Sequence, residues 1–191
     1  MQFSESNLKF TFDDNSWFYL IQYDKTTDCK NIQRAIPGTK AVDFIGVLKN
    51  TTLTLSLFEV KNFREHRIEN KARMNNGERI EEFAQKVRDT MAGVVGAAQN
   101  SSHLKGTWKK YVKLLSGGEI HVVCWIEEDR QSNYSNVKRN RHKARASGFI
   151  QEIKRKLSWL TTKVTAADTT NNPYKDTLQV SFIQSNNPEK V

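Results

Sequence analysis

From residue 41 the chain runs AVDFIGVL, breaks at KN and TT, and resumes as LTLSLFEVKNF. Both runs are rich in β-branched, leucine and aromatic side chains, which marks strands, and the polar break marks the turn of a hairpin. From Arg79 to Ala98 the period changes. Phe83, Val87, Met91, Val94, Val95 and Ala98 recur at three and four, the spacing of an amphipathic helix, and Gly93, Gly96 and Ala97 would let it approach a sheet closely. GGEIHVVCWIEED, opened by Gly117 and Gly118, predicts a third strong strand. A second long helix is expected from about Asn133 to Leu160, with Ile150, Ile153, Leu157 and Leu160 as its apolar positions, and DTLQVSFIQ closes the order as a last strand.

The first forty residues are less regular. LKFTF alternates like a short strand, SWFYLIQYDKTTDCKNIQRAI fits either a helix or an irregular cover, and Pro37–Gly38 punctuates the chain with a turn. REHRIENKARMNNGE is polar and reads as a loop or a partly helical segment. The order strand, strand, helix, strand, helix, strand predicts an α/β (α+β mixed) fold, a central mixed β-sheet flanked by helices. No repeat, low-complexity tract or linker interrupts it, so the 191 residues are expected to form one domain with its core over about 40–130 and a basic helix at about 133–160.

That length suffices for a core without disulfides or a structural metal. Cys29 and Cys124 stand outside any CxxC and offer neither a disulfide framework nor a zinc knuckle. No apolar stretch reaches the roughly 18–20 residues of a membrane span, and MQFSESNLKF lacks the layout of a signal peptide, so the expectation is a cytoplasmic protein with no membrane partner. A net charge of +9 points to a polyanion or an anionic surface.

Charge inside the two greasy runs needs its own account. An acid two residues before a lysine occurs four times, as DCK (28–30), EVK (59–61), ENK (69–71) and EIK (152–154), and three of these lie in polar, basic or irregular surroundings. EVK alone ends an apolar strand and has a second acid, Asp43, on the strand before it. Alternation puts Glu59 and Lys61 on one face of their strand, and neighbouring strands lie only about 4.8 Å apart, so Asp43 can join them. Two carboxylates at one point suit a hard divalent cation, with the ammonium beside it to orient water or stabilise developing negative charge. The bland alternative is a cross-strand ion pair at an edge, worth little.

Asp43 followed by FEVKNFR resembles the PD-(D/E)xK nuclease superfamily, the restriction-endonuclease-like fold, whose pattern is an acid starting the second core strand and (D/E)-x-K in the third. The likeness is strongest over residues 40–64, and Val42 stands where the motif's proline would be. It implies Asp43, Glu59 and Lys61 as catalytic residues. Asp43, Glu59 and the Val60 carbonyl become ligands of Mg²⁺ or Mn²⁺, and Lys61 serves the attacking water. Many members carry a further acid upstream; Asp24 is preferred here over Asp28 and Glu5. The implied activity is a metal-dependent endonuclease acting on DNA, with RNA and a homodimer left open. The rival is a catalytically inactive nucleic-acid-binding or assembly subunit with the same fold.

The stretch NVKRNRHKARASGFIQEIKRK carries eight lysines and arginines against one acid. Lys138, Arg139, Arg141, Lys143 and Arg145, together with Arg64 just past the motif, are the expected phosphate contacts. Lys109, Lys110 and Lys113 beside Trp108 and Tyr111 read as a surface patch between helix and strand, with stacking on a single strand as the alternative. His121 and Cys124 read as half-buried and buried members of a strand, and His66, His103 and His142 have no zinc spacing.

Overall fold

The computed structural model describes residues 1–64, 78–128 and 136–183, and for 136–145 the backbone alone. The first hairpin, β1 (Gln2–Glu5) and β2 (Leu8–Phe12), turns through Ser6 and Asn7, both at positive φ (52° and 61°), the signature of a two-residue I′-type loop. β3 (Trp17–Gln22) leads into a 3-10 turn (Tyr23–Lys25) and α1 (Thr27–Ala35). Thr26 caps α1 by accepting from Cys29 N. β4 (Phe44–Lys49) and β5 (Leu53–Asn62) form the expected hairpin. α2 (Glu78–Asn100), α3 (Lys105–Leu115), β6 (Glu119–Glu127), α4 (Asn136–Leu157), β7 (Val164–Ala167) and β8 (Leu178–Phe182) follow. The fold is mixed α/β.

Two sheets share the strands. The larger has the order β3-β4-β5-β6-β7, antiparallel from β3 to β5 and parallel from β5 to β7. The crossover from β5 to its parallel neighbour β6 runs through α2 and α3, as a parallel pair requires. The smaller sheet is β1-β2-β8. The last strand therefore leaves the central sheet expected for it and pairs with β2, bringing Val180 opposite Phe10.

The apolar runs of β4 and β5 are apolar on both faces because both faces are covered. Ile45, Val47, Leu55 and Leu57 pack against Phe83, Val87 and Val94 of α2, Trp108 and Tyr111 of α3, and Ile153 and Leu157 of α4. Phe44, Leu48, Phe58 and Val60 pack the other way, against Leu8, Phe10 and Phe12 of the small sheet and Trp17 and Trp125. Full burial of each such side chain contributes about 1.5–3 kcal/mol, and ring contacts such as Phe12–Phe58 (5.7 Å, near-perpendicular) fix the geometry.

α2 reaches the core where Gly93 stands. A Cβ there would meet the Tyr23 hydroxyl at 2.1 Å, whereas Gly96, expected on the same close face, has open space around it. α3 was absent from the expected order, and Trp108 and Tyr111 on it are fully buried, so they stack on no ligand. The polar segment 65–77, including His66, lies outside the described residues. No helix among the described residues is long and apolar enough to cross a membrane.

Candidate metal centre

Asp43 immediately precedes β4 and is held on three sides by backbone. Its N–H donates to Phe58 O (2.9 Å), its carbonyl accepts from Tyr23 N (2.8 Å), and its Oδ2 accepts from Val60 N (2.6 Å). The approach segment is strapped to α2, where Gln85 Nε2 donates to Gly38 O, and Lys40 N and Val42 N donate to Asp89 Oδ2 and Thr90 Oγ1 (both 3.0 Å). The aspartate is 7% exposed. Burial, reinforced by the charge of Glu59, pushes its pKa up to about 8.

Glu59 and Lys61 lie on the helix side of β5, as alternation requires, and Val60 points into the aromatic layer between the sheets. Glu59 is completely buried, yet its two oxygens differ. Oε1 accepts from Lys61 Nζ (3.0 Å) and from Lys86 Nζ (2.7 Å), and Oε2 is buried without a hydrogen-bond partner among the described residues. Lys61 stays about one-third exposed, with Glu82 Oε1 at 4.0 Å. Lys86 is much less exposed; burial opposes its charge, but Glu59 more than offsets that and holds its pKa above the ordinary lysine value.

On the other side of Asp43 the 3-10 turn and β1 add two more acids. Single oxygens of Glu5, Asp24 and Asp43 all lie within 4.8 Å of one another. Glu5 Oε2 accepts from Gln22 Nε2 (3.1 Å) and Lys25 Nζ (3.4 Å). Asp24 Oδ1 is buried with no partner among the described residues, and burial, then the charge of Glu5, raises its pKa. Asp28 is elsewhere, accepting from Ser101 Oγ (2.9 Å) and Trp108 Nε1 (2.8 Å), a structural post for α3.

Four carboxylates and two ammoniums therefore meet at one end of the central sheet. Lys61 meets Glu59 directly, Asp43 reaches their strand through Val60 N, and the Asp43 carboxyl is grouped with Asp24 and with Glu5, the less favoured upstream acid. Lys86 escaped the sequence reading, although it lies three residues after Phe83 and four before Thr90, on the stripe α2 turns to the core. Arg64 lies with its guanidinium 4.0 Å from the Phe182 ring of β8. The side chains of Lys138, Arg139, Arg141, Lys143 and Arg145 lie outside the described residues, although their helix is formed. His121 is half-buried and 3.7 Å from Glu119, and Cys124 is fully buried.

Comparison of the chain with protein-family models, with curated proteins and with solved structures finds no match.

Proposed function

We propose that the protein is a divalent-metal-dependent nuclease of the PD-(D/E)xK kind, acting on DNA phosphodiester bonds. One observation carries this reading: a buried aspartate at the head of the second strand of the central sheet accepts from the backbone N–H between a glutamate and a lysine on the third, close enough to feel the charge of that glutamate. The donors suit Mg²⁺ or Mn²⁺, since all are oxygens and two of them, Glu59 Oε2 and Asp24 Oδ1, are buried with no hydrogen-bond partner among the described residues. Asp43, Asp24 and Glu5, whose oxygens come together, would hold the ion, with Glu59 beside them. Once bound, it supplies positive charge to a phosphodiester oxygen and lowers the pKa of a coordinated water. Lys61 keeps its ammonium at the rim, where it can orient a water or a phosphate oxygen, and Lys86 stays inside, paired with Glu59 Oε1.

The test is cleavage of supercoiled plasmid, linear duplex and single-stranded circles with Mg²⁺ or Mn²⁺ against EDTA. Wild type should cut in metal, and Glu59→Gln and Lys61→Met should fold without cutting. Intact DNA under every metal would sink the proposal.

One feature favours the inactive alternative: two ammoniums occupy Glu59 Oε1, an oxygen that would otherwise face a cation. A non-catalytic DNA-binding or assembly subunit would bind with a steep salt dependence, indifferent to EDTA and to Asp43→Asn.

A further inference from the structure

We propose that the outer side of α3 and the exposed ring of Tyr19 form a docking track for a single nucleic-acid strand. The track depends on the nuclease reading only for the end at which the strand is cut, because docking itself requires no metal.

Tyr19 sits in β3, an edge strand of the central sheet, at φ 52° and 45% exposed. A bulky L-residue in the left-handed region costs conformational free energy, and such residues cluster where a site needs them. The bulge between Phe18 and Ile21 gives part of the reason, since the turned-out Tyr19 carbonyl accepts from the Tyr111 hydroxyl. That contact uses the backbone and leaves the ring outside. Lys110 Nζ lies 3.9 Å from the ring centroid and 2.7 Å from the Tyr19 hydroxyl, so the ring and a cation are presented together.

α3 carries Lys105, Lys109, Lys110 and Lys113, all exposed, and no acid. Lys105, Lys109 and Lys113 repeat every four residues, one row with steps of about 6 Å, comparable to the separation of successive phosphates along one strand. The row has a direction. Trp108, early in α3, bonds Asp28 and packs against Tyr23 (5.8 Å), beside the turn that carries Asp24. Leu114, late in α3, borders Leu53, the first residue of β5, whose far end carries Glu59 and Lys61. The lysines thus lead away from the carboxylate end of the sheet. An acidic protein surface would satisfy the lysines but gives no use for an exposed, strained aromatic ring, whereas a nucleic-acid strand uses both.

Fluorescence anisotropy in EDTA, with labelled oligothymidylate and a matching duplex, tests the track. Replacing Lys105, Lys109 and Lys113 by Gln together should lower the slope of log affinity against log salt by about 2 on the single strand. Tyr19→Gly should weaken single-strand binding about tenfold while raising the melting temperature, because glycine relaxes the left-handed position; Tyr19→Phe should bind like wild type. A merely structural Tyr19 would move stability and leave affinity alone. Tight binding by Tyr19→Gly, an unchanged salt slope in the triple variant, or no oligothymidylate binding by wild type would each overturn the track. Binding in EDTA without cleavage in Mg²⁺ would keep the track and remove the nuclease.

Discussion

Glu59 and Glu127 are both buried glutamates on adjacent parallel strands, and they are treated in opposite ways. Glu127, 4% exposed, accepts from Trp125 Nε1 (3.0 Å) and Thr169 N (2.7 Å) on one oxygen and from Thr169 Oγ1 (3.1 Å) on the other. Its charge is spread over neutral donors that the fold fixes in place, and it ties β6 to the chain after β7. Among the described residues, Glu59 has only ammoniums on one oxygen and nothing on the other. Unmet hydrogen-bonding capacity is expensive to bury, so native proteins seldom leave it without a use. A satisfied buried carboxylate builds architecture; an unsatisfied one among further carboxylates keeps an oxygen for the cation proposed above.

The contrast can be broken first at Glu59. In Glu59→Gln, cleavage should fall about 1,000-fold or more, and the melting temperature should fall less than in Glu127→Ala, since the amide still accepts from Lys86. Comparable activity in the two variants would erase the distinction. Glu127→Ala should cost about 2–4 kcal/mol in urea unfolding, because Trp125 Nε1 and Thr169 N lose their acceptor, and Mn²⁺ titrated calorimetrically should bind it as tightly as wild type.

Asp43 sharpens the comparison through pH. Its pKa is raised to about 8 in the folded protein against an ordinary value of 3.8. Between those limits the native state holds a proton that the unfolded state has released. Stability in EDTA should therefore fall as pH rises from about 4 to 8, by up to about 1.4 kcal/mol per unit. Saturating Mn²⁺ or Asp43→Asn should flatten that slope; a slope unaltered by both would mean that the buried proton is elsewhere. The smallest effect belongs to Lys86→Met. Losing the inner ammonium should lower the melting temperature in EDTA only slightly, because Lys61 still meets Glu59 Oε1, and Lys86→Arg should restore it.

Much of the site was legible because it lies on the most regular part of the chain. The β4–β5 hairpin needs only alternation and a polar turn, and the one-residue spacing of Glu59 and Lys61 then fixes their common face. The continuous apolar run of β5 also held a sign, unread, that a second layer covers its other face. β3 was obscured because WFYLIQ contains a bulge at Tyr19, which breaks the period of two on which strand reading depends. α3 shows a readable stripe of Trp108, Tyr111, Val112 and Leu115, but four lysines made it look like surface. The partnership of Glu5 with Asp24 and Asp43 was illegible because it depends on how the small sheet docks, and no local pattern encodes that.

Gly93 shows how remote the control of such a centre can be. It lies seven residues, or two helical turns, beyond Lys86 on the same side of α2, about 10 Å along the axis. Because nothing but hydrogen stands between the helix and the Tyr23 hydroxyl, the helix can lie low enough for the Lys86 ammonium to reach Glu59. A single methyl at that position would act as a wedge, tilting the rod away from the sheet and lengthening an ionic contact that it never touches. The reach of one cation is thus set by the missing side chain of another residue, and drift at position 93 would retune the centre with every one of its charges still in the sequence.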